Sequence, residues 1–193
     1  ARFVVGAILL MGVMLHLVGV AQALSEADLT EALKPVFFLY AFAVVAAAGW
    51  FVDVRLVTAL AIVPFAQALE TGTGYFHAAY VFYSPEPTLT IVQMAALIAL
   101  CLWIAKRYPE RLARHARVLA VLAFISANLC ALVGSLWGDV VGETLWGPKY
   151  ADFITAPGIT PTERWPLFRE ARDAFRSHAL VIHEHVYSVL WAI

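Results

Sequence analysis

Phe3-Val-Val-Gly-Ala-Ile-Leu-Leu-Met-Gly-Val-Met-Leu-His16-Leu-Val-Gly-Val-Ala-Gln-Ala-Leu24 decides the class of this protein. About 20 residues of nearly unbroken apolar sequence are enough for a helix to cross a ~30 Å hydrocarbon core. A cleaved signal peptide has a shorter apolar core behind a basic segment and ends at a small-residue cleavage site. Gln22-Ala-Leu mimics such a site, but His16 inside the run and the lack of basic residues beyond Arg2 favour a retained helix.

The rest of the chain has the same character. Its 193 residues are 62% hydrophobic and 14% charged, with a mean hydropathy of +0.79, whereas soluble domains are roughly half apolar and a quarter charged. This is the composition of an integral membrane protein. A net charge of -1 argues against a nucleic-acid partner. Cys101 and Cys130 fall in separate apolar runs and read as buried thiols acting as small hydrophobes. Cys-x-x-Cys-His is absent, which excludes covalent c-type haem attachment.

The expected fold is an all-α, polytopic transmembrane helix bundle of about six spans, with short amphipathic surface helices. The spans are read at about 3–24, 35–52, 56–77, 88–105, 118–138 and 177–193, with an outer segment at 139–176, all in one membrane domain. Ser25-Glu-Ala-Asp28 matches a capping box, which predicts a short surface helix ending near Lys34-Pro35. Pro64 is expected to kink the third span. Tyr80, Phe82 and Tyr83 suit an interfacial aromatic belt. Thr160-Pro-Thr-Glu163 is a second capping box, opening a charged surface helix that runs to Arg176. The chain stops at Ile193 inside an apolar run, so the protein is expected to extend further.

Orientation follows from Lys106-Arg-Tyr-Pro-Glu-Arg-Leu-Ala-Arg-His-Ala-Arg117, whose basic residues mark a cytoplasmic connection. Alternation of the spans then puts the N-terminus with Arg2, and the 53–55 turn with Arg55, on the same side. Segments 25–34, 78–87 and 139–177 fall outside. The expected location is a cell inner membrane, crossed several times, with a cytoplasmic N-terminus.

With that topology the polar residues gather in the outer half. The stretch Ser177-His-Ala-Leu-Val-Ile-His-Glu-His-Val-Tyr187 brings His178, His183, Glu184 and His185 into the expected last span. His16 and Glu70 lie roughly 10 Å below the outer ends of their helices at 1.5 Å per residue. His77 is near a helix mouth, and Asp139 and Glu143, four residues apart, share a face. Imidazoles and carboxylates are costly near hydrocarbon, so they are functional-site candidates. A b-type haem needs two neutral imidazoles on facing helices, and His16 with His183 or His185 meets the depth requirement. A copper, iron or zinc site needs several converging nitrogen and oxygen ligands, and Glu70, His77, Asp139, Glu143, His178, His183 and His185 are the candidates. The spacing is specific for neither, and Glu-x-x-His and His-Glu-x-x-His are absent.

Each residue also has a plainer reading. His77 and His178 suit interfacial residues wetting their tips, and His16 and His183 suit buried imidazoles bonded to helix carbonyls. Asp139 and Glu143 suit solvated charges. His115 is expected in the basic loop, satisfied by water and binding nothing. Two functions are consistent with this pattern. One is a subunit of a membrane oxidoreductase or electron-transport assembly carrying a metal or haem near the outer face. The other is a non-enzymatic membrane subunit or small-solute carrier whose outer polar cluster binds substrate or stabilises a complex with other membrane subunits.

Overall fold

The computed structural model describes residues 2–68 and 86–192. Glu70, His77 and the aromatic belt at Tyr80–Tyr83 lie outside the described residues. The protein is an all-α bundle that has, among the described residues, four helices long and apolar enough to cross a membrane and a shorter apolar pair of helices beside them.

Helix α1 (Arg2–Glu26) and helix α2 (Thr30–Val52) form the first hairpin. The expected surface helix at 25–34 is replaced by a tight turn. Asp28 adopts a left-handed backbone (φ 56°), its amide bonding the Ser25 carbonyl at 3.1 Å. Helix α2 then begins five residues before Pro35. That proline sits near the helix start and is accommodated there.

Asp53 ends α2, also left-handed (φ 55°), and Val54 turns the chain into α3 (Arg55–Leu60) and α4 (Ile62–Gln67). The break lies at Ala61, three residues before Pro64 rather than at it. A proline ring collides with the carbonyl four residues earlier, here Leu60, so the regular helix stops there. Both short helices fold back along α2, where Gly49 permits close approach. A Cβ at Gly49 would lie 2.5 Å from the Thr58 amide nitrogen and 2.9 Å from its Cα.

Helix α5 (Pro87–Arg107) begins with proline at its first position, where the missing amide costs nothing. The expected twelve-residue basic connection is only Tyr108-Pro109, because α6 starts at Glu110 and runs to Trp137. The basic stretch is helical because its apolar residues repeat on one face. Ala113, Ala116, Leu119 and Ala123 are buried, and His115 is buried beside them, while Arg111 and Arg117 point outward.

Beyond Gly138 the expected sixth span is absent from the described residues. Strand β1 (Asp139–Val140) pairs antiparallel with β2 (Val181–Ile182), Asp139 opposite Ile182. Short helices α7 (Glu143–Trp146) and α8 (Tyr150–Thr155) and the charged helix α9 (Pro161–Arg176) lie between the strands. Helix α9 opens as expected, with the Thr160 amide donating to Glu163 Oε2 at 3.0 Å. Helix α10 (Glu184–Ala192) has nine residues. At 1.5 Å per residue that is well under a bilayer core.

The core is small and rich in alanine. Ala41, Val45 and Ala48 of α2 meet Ala61, Met94, Leu97, Cys101 and Ala123, which lets helices approach closely. Only 17% of the α1 and α2 apolar windows and 28% of those of α5 and α6 are buried. Most apolar side chains therefore face outward, the arrangement suited to a hydrocarbon surround.

One end of the bundle gathers the Asp53 turn, the Tyr108-Pro109 turn and the start of α1, where Gly6 packs on Val54. The 139–176 segment occupies the other end of α5 and α6. Cysteines placed at the exposed positions Arg107 and Thr155 should therefore react with an impermeant maleimide from opposite sides of a sealed membrane. Labelling of both from one side would contradict this arrangement.

Candidate functional site

Polar groups buried in this bundle collect at its two ends. At the end that carries the 139–176 segment, Glu86 is 3% exposed. Its carboxylate accepts from the Gly142 amide at 2.7 Å and the Thr144 amide at 2.9 Å. Those are the open amides at the start of α7, so Glu86 caps that helix from a distance. The turn requires glycine at 142, where φ is 86° and a Cβ would press on the Trp146 ring.

Asp139 does the same for α5. Its Oδ2 accepts from the Thr88 amide at 2.9 Å and from the Tyr187 hydroxyl at 3.0 Å, and Tyr187 also bonds the Thr88 hydroxyl. The two elements exchange carboxylates: Glu86, just before α5, caps α7, and Asp139, two residues beyond α6, caps α5. Asp139 is 5% exposed, and its Oδ1 has no partner among the described residues. Tyr187 is held by Gly134 of α6, where a Cβ would lie 2.6 Å from the ring.

Glu143 ties α7 to α9. It accepts from Arg172 Nε and from Arg176 Nε and Nη2, the latter two at 3.0 and 2.8 Å. Burial works against its charge, but the bonds from Arg176 and Arg172 outweigh that and hold its carboxyl below the usual glutamate range.

Among the described residues, none of the histidines expected to join these carboxylates hydrogen-bonds to one of them. His178 follows the C-terminal end of α9, exposed, with Nδ1 2.8 Å from Ser177 Oγ and 3.1 Å from the Ala174 carbonyl. His183 lies between β2 and α10 and is exposed. The His185 side chain is 89% exposed, 3.9 Å from Glu184. His16 is exposed on α1, its Nε2 2.6 Å from the Tyr40 hydroxyl of α2. Among the described residues no three histidine, cysteine or carboxylate side chains converge on a point a metal ion could occupy. Cys101 and Cys130 are buried thiols that form no disulfide.

The expectation for His115 is overturned. It is 2% exposed, with Nδ1 2.6 Å from Thr58 Oγ1 and Nε2 3.2 Å from Asp53 Oδ1. The carboxylate only accepts, so Nε2 carries the proton and the Thr58 hydroxyl donates to Nδ1. The bond from His115, with Arg114 and Arg111 nearby, outweighs partial burial and holds the Asp53 carboxyl below its ordinary range. Arg111 donates to the Trp50 and Phe51 carbonyls at 2.9 and 2.6 Å, satisfying the open end of α2. An apolar cavity of about 220 Å³ lies beside His115, between Phe42, Trp50, Leu97 and Leu119. Both ring nitrogens are already engaged, so His115 presents only carbon to it.

Glu86, Thr88 and Tyr187 escape a sequence reading. An acidic residue directly before a helix-starting proline is the available signal for Glu86, but it does not name the helix it caps. Comparison with protein families, curated proteins and solved structures finds no match to this chain.

These placements separate structural from presented residues. His115→Ala and Glu86→Ala should each cost about 2–4 kcal/mol in reversible unfolding in micelles, since each leaves buried partners unsatisfied. His183→Ala and His185→Ala should stay within about 0.5 kcal/mol. The Glu143 tie adds an acid sensitivity: its folded pKa is the lowered one, so its contribution is complete above the ordinary glutamate range and fades as pH falls through the folded value. Equal losses for His115→Ala and His183→Ala would contradict the assignment.

Proposed function

We propose that this chain is a non-enzymatic subunit of a membrane assembly, in which the outer polar layer is a clamp that holds the His178–His185 edge clear of the bilayer for contact with other membrane subunits. The observation that carries this reading is the division of labour at the outer end. Glu86, Asp139 and Glu143 are committed to backbone amides, Tyr187 and arginines, whereas the His183 and His185 side chains face outward. A rigid scaffold presenting polar side chains at its edge suits recognition better than turnover. The basic end of the bundle, with Arg55 and Lys106–Arg117, faces the cytoplasm in this reading, and the membrane is the cell inner membrane.

A second reading keeps a redox role. His183 has no side-chain partner among the described residues, so a b-type haem or a copper, iron or zinc ion could take His183 or His185 as one ligand and complete its shell from a partner subunit.

One experiment separates the two. The full chain is extracted in a mild detergent and its assembly size, absorption spectrum and metal content are measured for the wild type and for His183→Ala/His185→Ala. The first reading expects the double variant to leave the assembly while remaining folded, with no Soret band and no stoichiometric metal in either sample. Stoichiometric metal or haem lost in the double variant establishes the second. An unchanged assembly with no cofactor would sink both.

A further inference from the structure

A groove of about 500 Å³ runs between α3 and the first turns of α6. One end is basic, lined by Arg55, Arg114 and Arg117, with Glu110 as its acidic member. The other end is apolar, lined by Ala59, Val118 and Val121.

The charges are not fully used within the protein. Arg117 pairs with Glu110 through two bonds of 2.9 and 3.3 Å. Arg114 stands 3.6 Å from Asp53 with its side chain 42% exposed. Arg55 is exposed and has no hydrogen bond or ion pair among the described residues. The Arg55 guanidinium and the exposed edge of the Arg114 guanidinium, beyond its ion pair with Asp53, are therefore placed to bind an anion, and guanidinium geometry matches phosphate oxygens in pairs.

The depth of the groove identifies what carries that anion. Helix α6 has 28 residues, on the order of 40 Å at 1.5 Å per residue, against a hydrocarbon core of about 30 Å. Its first turns therefore overhang into the headgroup layer, which puts Arg114 at headgroup depth and Val118 and Val121 at the top of the acyl region. Val121 is 58% exposed. A soluble phosphate would use only the basic end and leave the apolar wall bare. A phospholipid covers both. Lys106 and Arg107, in the last turn of α5, add to the positive field at the same end of the bundle.

We propose that this groove binds an anionic phospholipid, its phosphate between Arg55 and Arg114 and one acyl chain laid along Ala59, Val118 and Val121. The site is independent of the outer histidine edge and stands at the opposite end of the bundle.

The test titrates the purified full chain in neutral detergent with phosphatidylglycerol, phosphatidylcholine and inorganic phosphate, counting bound lipid by native mass spectrometry. Phosphatidylglycerol should bind at least about fivefold more tightly than phosphatidylcholine, and Arg55→Gln should remove most of that preference. Arg55 is exposed and has no hydrogen bond or ion pair among the described residues, so the variant should fold. Arg169→Gln, on the outer surface, serves as the control and should bind like the wild type. Val121→Asn should weaken phosphatidylglycerol while leaving the response to inorganic phosphate unchanged. Equal binding of the two lipids, equal losses in Arg55→Gln and Arg169→Gln, or full displacement of phosphatidylglycerol by inorganic phosphate would each overturn the proposal.

Discussion

A polar group shut away from water in a bundle this apolar must be met by protein donors or acceptors, because in hydrocarbon an unmet one costs several kcal/mol. The architecture is organised around the places where that demand is satisfied. At one end His115 bridges Thr58 and Asp53, joining α6 to α3 and to the close of α2. At the other, Glu86 and Asp139 exchange caps between α5 and α7, and Tyr187 brings α10 into the same network. Alanine and glycine contacts supply close approach between these ties without fixing depth or rotation. The polar ties fix both.

This economy bears directly on function. The Glu86 carboxylate is bonded to two backbone amides, and moving it would open the start of α7. In the proposed function this cluster is a clamp, and the groups it leaves outward are imidazoles. Asp139 Oδ1, buried without a partner among the described residues, is a place in the layer where a further donor would be welcome. At the opposite end Arg55, Arg107 and Arg117 are exposed, the surface proposed above to meet lipid headgroups. The two ends thus offer different surfaces, imidazole-bearing at one and cationic at the other.

Much of this was legible in the sequence. The apolar runs at 3–24, 35–52 and 88–105 correspond to α1, α2 and α5, since length and apolarity dictate a helix there whatever the tertiary contacts. The capped helix from Thr160 was legible for a local reason, its amides being satisfied within four residues. What misled was charge taken as a sign of a loop. Lys106–Arg117 is almost wholly helical because Ala113, Ala116 and Leu119 repeat on one face, and that same face carries His115 inward. The 177–193 stretch misled in the opposite way. Its apolarity suits a membrane helix, but Val181–Ile182, both β-branched, pair with Asp139–Val140, and only α10 remains. No local pattern reveals that Glu86 caps a helix more than fifty residues away. Such partnerships belong to the tertiary fold.

The central claim is that His115 is a buried tie while His183 and His185 are presented. Carbethoxylation of the native, detergent-solubilised protein, read histidine by histidine through peptide mass, tests it on unaltered chain. The account predicts rapid modification of His183 and His185, with His115 protected until the protein unfolds. Modification of His115 as fast as His183 in the folded protein, or protection of His183 and His185, would contradict it.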